Sequence, residues 1–119
     1  MPTQTYKELT VWQKSMDLVV KIYKRTEKFP KTEAYGLTSQ LRRATVAIPS
    51  NIAEGYRRRS PKEYANFLNI AYASGAELET QIEIAKRLQF IALDSWKTTD
   101  GLLNEIMRML NTLIARVRN

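Results

Sequence analysis

Apolar residues recur every three or four positions through four long blocks of this chain, with only short connections between the blocks. That spacing follows the 3.6-residue turn of an α-helix and leaves no alternating stretch from which a sheet could be built. The first block, about residues 9–29, carries Leu9, Trp12, Met16, Val19, Val20 and Tyr23 on one stripe and is stopped by Pro30. The second, about residues 36–57, carries Leu37, Leu41, Ala44, Ile48 and Ile52. The third, about residues 61–88, opens on Ser60, Pro61 and Glu63, which read as an N-cap, a first-turn proline and the returning acid of a capping box. Its core stripe is Tyr64, Phe67 or Leu68, Ala71, Gly75, Leu78, Ile82 and Ala85, and Gly75 predicts a close helix crossing. The fourth, about residues 95–117, takes Asp94 or Ser95 as its N-cap and carries Trp96, Leu103, Ile106, Met107, Leu110, Leu113, Ile114 and Val117. Four amphipathic helices with short connections predict one all-α domain over residues 1–119, an antiparallel up-down-up-down four-helix bundle.

Pro49 lies inside the second block. Its ring removes the hydrogen bond back to Thr45 and crowds that carbonyl, at roughly 3 kcal/mol in a plain helix interior, so the second helix is expected to kink. The apolar spacing Ala44, Ile48, Ile52 passes through the proline in phase, which predicts a continuous helix. Ser50 and Asn51 are available as caps if the helix instead restarts there.

The sequence contains no cysteine and no histidine. Disulfides, thiolate chemistry, imidazole general bases and cysteine- or histidine-ligated metals are therefore excluded. The bundle di-iron site needs a Glu-x-x-His pair, and ribonucleases of the HEPN type use an Arg and His pair, so neither is available. Glu77 and Glu79, two apart, face different ways on a helix and form no shared carboxylate site. The expectation is a protein that is no enzyme and holds no metal or cofactor. No apolar run approaches the ~20 residues of a membrane span, and the N-terminal MPTQTYKEL lacks the apolar core of a signal peptide, so a cytoplasmic protein without membrane contact is expected.

Nineteen Lys and Arg against twelve Asp and Glu leave a net charge of +7, a surplus that attracts polyanions. Alternating helix directions sort this charge to the two ends of the bundle. One end collects Lys24, Arg25, Lys28, Lys31, Arg42, Arg43, Lys86 and Arg87; the other collects Arg57, Arg58, Arg59, Lys62, Arg116 and Arg118. With Lys14 and Lys21 along the first helix, the candidate nucleic-acid contacts are Lys14, Lys21, Arg25, Lys28, Arg42, Arg43, Arg57, Arg58, Arg59, Lys62, Lys86 and Arg87. A solvated face competes with a phosphate-tracking one for the lysine row of the first helix. Tyr35 and Tyr56, at the ends of the second helix, are the candidates for base stacking, against the alternative of packing. Several helices carry a second apolar stripe: Val11, Leu18 and Ile22 on the first, Val46 and Ala53 on the second, Ile70 and Ile84 on the third. One core needs one stripe per helix, so these seven residues are assigned to a homo-oligomer interface.

The segments LTVWQ (residues 9–13), YGLTSQLRRA (35–44), IPSNIAEG (48–55), FLNIA (67–71) and ELETQ (77–81) resemble the four-helix-bundle proteins encoded within intervening sequences of bacterial 23S ribosomal RNA genes. The match covers the first three helices in order, and the fourth in pattern only. The resemblance implies a closed antiparallel bundle assembled into a pentameric ring, similar to the accessory variability protein of diversity-generating retroelements, a basic pentamer that binds nucleic acid and a reverse transcriptase. It marks Gln40, Arg42, Arg43, Ser50, Asn51 and Glu54 as motif positions. Their structural reading pairs Arg42 or Arg43 with Glu54 or Glu77 and uses Ser50 and Asn51 on the backbone freed by Pro49. The function expected is a non-catalytic basic homo-oligomer that binds RNA or DNA through phosphates. The alternative is a protein-interaction scaffold, or an accessory subunit for a nucleic-acid enzyme such as a reverse transcriptase.

Overall fold

In the computed structural model, which describes residues 5–118, the four periodic blocks become α1 (Thr10–Thr26), α2 (Leu37–Tyr56), α3 (Pro61–Arg87) and α4 (Lys97–Arg118). The reading of residues 1–4 as part of a segment without a signal peptide lies outside the described residues. Short 3-10 turns at Tyr6–Glu8, Lys31–Glu33 and Leu93–Trp96 lead into α1, α2 and α4. The capping box forms as its residues dictate: the Ser60 hydroxyl accepts from the Glu63 N–H at 3.1 Å, with Pro61 in the first turn of α3. Asp94 and Ser95 fall instead within the 3-10 turn ahead of α4. At the far end of α3, Gln89 adopts a left-handed conformation (φ 58°) and the Phe90 N–H bonds back to the Ala85 carbonyl, a turn that reverses the chain. Phe90 then meets Phe29 edge to face at 5.2 Å, and Phe29 meets Trp96 at 6.0 Å, closing that end of the core with aromatic rings.

Contacts between helix ends fix the directions. Tyr6, ahead of α1, lies beneath Arg57 at the end of α2, while Tyr23 and Thr26 at the end of α1 meet Arg42 near the start of α2. Arg25, late in α1, donates to the Ser95 carbonyl before α4, and Lys14, early in α1, pairs with Glu105 further along α4. Lys86 at the end of α3 pairs with Asp100 at the start of α4. Each of these helix pairs therefore runs in opposite directions, and the molecule extends 44 × 24 × 20 Å, the length of its longest helix.

α2 runs unbroken through Pro49, which is buried with Ile48 and Ile52. No restart occurs, so Ser50 and Asn51 cap nothing; the Asn51 amide donates to the Ala47 carbonyl at 2.8 Å, one turn back on its own helix. Two glycines set how closely the helices approach. A Cβ on Gly75 would overlap the Met107 thioether of α4, the close crossing expected there. Gly55, in the last turn of α2, is a second such point. Its Cβ would lie 2.7 Å from the Phe67 Cβ and 3.2 Å from the Tyr64 carbonyl oxygen, neither of which is a mobile side-chain tip. Gly55→Ala should therefore lower stability by about 1–3 kcal/mol through overpacking, although alanine's helix propensity alone is worth up to ~1 kcal/mol the other way. Urea denaturation checks this, and an unchanged or raised midpoint would refute the close crossing.

The largest departure from expectation is in α1. Val11, Leu18 and Ile22, assigned above to an interface between copies, are buried in the bundle's own core with Ser15 and Thr26. Part of the stripe expected to face inward turns out: Met16, Val20 and Tyr23 are exposed and Val19 is only partly covered, while Leu9 and Trp12 pack against the edge of the core. Both stripes have helical period, and the bundle buries the one with the slimmer residues. The remaining interface candidates lie outside the core, with Val46, Ile70 and Ile84 exposed and Ala53 partly so.

Candidate nucleic-acid interface

The helix directions carry the basic residues to the two ends, and the contacts there separate neutralised charge from available charge. At the end holding the start of α2, four of the eight positive groups are engaged, Lys86 and Arg87 by acids and Arg25 and Arg42 by carbonyl, hydroxyl or ring contacts. Arg25 donates its Nε to the Ser95 carbonyl at 2.7 Å. Arg42 donates its Nε to Thr26 Oγ1 at 2.9 Å, reaches the Tyr23 carbonyl, and lies over the Tyr23 ring with its guanidinium carbon 4.4 Å from the centroid. The pairing of Arg42 or Arg43 with Glu54 or Glu77 does not form. Lys86 pairs with Asp100, and Arg87 with Glu83 one turn back on α3. Lys14, on the side of the bundle, pairs with Glu105 at 3.2 Å. Lys21, Lys28 and Arg43 have no ion pair among the described residues, and Lys28 and Arg43 are exposed.

The opposite end differs. Arg57, Arg58 and Arg59 follow the last turn of α2, Lys62 lies in the first turn of α3, and Arg116 and Arg118 close α4; all six are exposed. Among the described residues none of them has a carboxylate partner within ion-pair distance. Rings hold two of them. Arg57 lies over Tyr6 at 5.4 Å and Arg58 over Phe67 at 4.6 Å, so each guanidinium is supported on one face. Tyr56 meets Tyr64 edge to face at 6.0 Å, which makes it a packing residue, while Tyr35 at the other end is wholly exposed. Burial, and after it the neighbouring Tyr56, pushes the Tyr64 phenol above its ordinary 10.0, so it contributes no negative charge beside the arginines at neutral pH. Glu54, three residues before Arg57, and Glu63, next to Lys62, are the acids nearest in sequence, and the Glu63 carboxylate accepts from the Ser60 hydroxyl. A cluster of arginines and a lysine without acidic partners around a tight helix turn carries a local positive potential of the kind that favours anions.

Glu77 and Glu79 are exposed, and among the described residues no group of three or more potential ligands is arranged to hold a metal ion. No helix among them is long and apolar enough to cross a membrane.

Comparison with known proteins is informative about family and fold. A family model described as 23S rRNA-intervening sequence protein matches residues 7–112. The crystal structure of a protein with unknown function from the S23 ribosomal protein family of Bacteroides thetaiotaomicron VPI-5482 is similar, with a TM-score of 0.82 at 24% sequence identity over 88% of this chain and 98% of that one. No curated protein matches this chain.

Proposed function

The chain belongs to the 23S rRNA-intervening sequence protein family, and from that premise we propose that it is a non-catalytic, basic, homo-oligomeric bundle of the cytoplasm that binds RNA or DNA through phosphate contacts. The observation that carries this reading is the cluster Arg57, Arg58, Arg59 and Lys62, whose charge no carboxylate among the described residues neutralises. Arg87 and Lys86 by contrast meet acids, Glu83 one turn back on α3 and Asp100 on α4. Fluorescence anisotropy with a structured RNA and a duplex DNA tests the reading: micromolar or tighter binding at low salt is expected, and no binding there defeats it.

The homo-oligomer rests on exposed apolar side chains. Met16, Val20 and Tyr23 on α1, Val46 on α2, and Ile70 and Ile84 on α3 lie on the outside of a bundle that is already filled. A ring of five copies is the assembly that the sequence resemblance implies. The same apolar surface favours the second reading, a scaffold or accessory subunit for a nucleic-acid enzyme. A pull-down after nuclease treatment separates the two, because a contact bridged by nucleic acid disappears and a direct protein contact stays.

A further inference from the structure

We infer that the groove at the start of α2 is a stacking site for an unpaired nucleotide of the bound strand, with the base on Tyr35 and the phosphate on Arg43; this deepens, and rests on, the nucleic-acid reading above. The groove has a volume of about 590 Å³, within the range of ligand clefts; Tyr35, Thr38, Arg42 and Arg43 line one part of it, and Tyr23 and Val46 line the part that adjoins the apolar surface assigned above to the contact between copies. No acid lines it. Tyr35 is 101% exposed, the highest exposure of any large hydrophobic side chain described, and its ring touches no other ring. It sits between the 3-10 turn Lys31–Glu33 and Gly36, so a tight connection presents the ring to solvent where helix packing does not cover it.

The arginines beside it differ in duty. Arg42 is fixed by Thr26 and stacked on Tyr23, which gives the groove a flat, positively charged wall. Arg43 is exposed and has no ion pair among the described residues, so it is available to a phosphate. An aromatic face with an adjacent unpaired arginine and a hydroxyl-bearing helix turn fits a nucleotide whose base is out of the duplex. Stacked bases inside a duplex offer no free face to Tyr35. The arginine cluster at the opposite end lacks such a ring, because Tyr6, Phe67 and Tyr64 are covered by guanidinium groups or by Tyr56.

The test compares an oligouridylate of about 12 nucleotides with a blunt RNA duplex, using the native protein, Tyr35→Ala, Tyr35→Phe and Arg43→Gln. Tyr35 makes no ring contact, so its variants should keep the native helical circular dichroism. Tyr35→Ala should lower oligouridylate affinity between about 5- and 150-fold, with a smaller effect on the duplex, and Tyr35→Phe should restore it. Arg43→Gln should reduce the single-strand salt slope by about 0.7. Oligouridylate affinity unchanged in Tyr35→Ala, while the native protein binds, overturns this inference alone. Loss of assembly mass in Tyr35→Ala also overturns it, by making the ring a subunit contact. Failure of the native protein to bind either probe at low salt removes the nucleic-acid reading along with it.

Discussion

Replacing Arg57, Arg58 and Arg59 together by glutamine is expected to weaken duplex binding on the order of a hundredfold near physiological salt and to flatten its salt dependence by about 2.7 in slope. The figure follows from counterion release. Each phosphate neutralised contributes about 0.9 to the slope for duplex DNA, and three arginines in consecutive positions after α2 supply three such contacts. Folding should be little affected, because all three side chains are exposed and none is in an ion pair among the described residues. The rings beneath Arg57 and Arg58 lose a stacking partner, worth roughly 0.5–1 kcal/mol at an exposed site, which is too little to unfold the bundle. A control triple substitution of Lys14, Lys86 and Arg87 by glutamine should change affinity far less, since acids already neutralise those three. Equal losses from both triples would mean that overall charge, and no particular end of the bundle, does the binding.

The second large effect separates the two stripes of α1. Leu18→Ala removes a side chain that is 0% exposed and should cost about 2–5 kcal/mol, a substantial part of the ~5–15 kcal/mol that holds a domain folded. Val20→Lys, two residues on but 53% exposed, should leave the stability of the isolated bundle within about 0.5 kcal/mol. Its expected effect is on assembly: a charge placed in the apolar surface formed by Met16, Val20 and Tyr23 should reduce the mass seen in light scattering. Urea denaturation at several protein concentrations distinguishes these outcomes, because loss of assembly makes the midpoint independent of concentration. A Leu18→Ala variant as stable as the native protein would contradict the orientation of α1.

That helix shows what the sequence could and could not carry. Periodicity states which residues share a face, and for α3 and α4 the broad stripe goes inward: Leu68, Ala71, Gly75, Leu78, Ile82, Leu103, Ile106 and Leu110 are all buried, while Ile70 and Ile84 stay exposed on the flank of α3. In α1 both faces are apolar, and Met16 and Tyr23 occupy the face that points outward while Trp12 packs at the edge of the core. Size favoured the wrong stripe, because the face of α1 that meets its neighbours is filled by Val11, Leu18, Ile22 and small Ser15. A signal was present in Ser15 and Thr26, whose hydroxyls bond to the Trp12 and Ile22 carbonyls and so fit a tight interface without a large volume. The end to which each basic residue goes was legible from helix order. Which of them stays unpaired was not, since Glu105 and Asp100 reach Lys14 and Lys86 from a different helix. Gly55 and Gly75 look alike in the sequence as helix-weakening residues; the crossing at Gly55 depends on Phe67 and Tyr64 arriving from the other side of the α2–α3 turn.

The capping box and the passage of α2 through Pro49 were local, and the sequence determines local features most directly. Ser60, Pro61 and Glu63 act on each other within one turn, and Ala44, Ile48 and Ile52 keep their phase whether or not the proline removes one hydrogen bond. Tyr35 and Tyr56 differ for a tertiary reason: Tyr64 reaches Tyr56 from α3, and no ring reaches Tyr35.

The most direct measurement is the affinity of the native protein for a structured RNA and a duplex DNA as a function of salt. Phosphate binding by Arg57, Arg58, Arg59 and Lys62 predicts a straight line of log Kobs against log salt, with a slope near −3.6 for the duplex if these four carry the contacts. A slope near zero, or no binding at low salt, would contradict the account and leave the exposed apolar surface as the feature to explain.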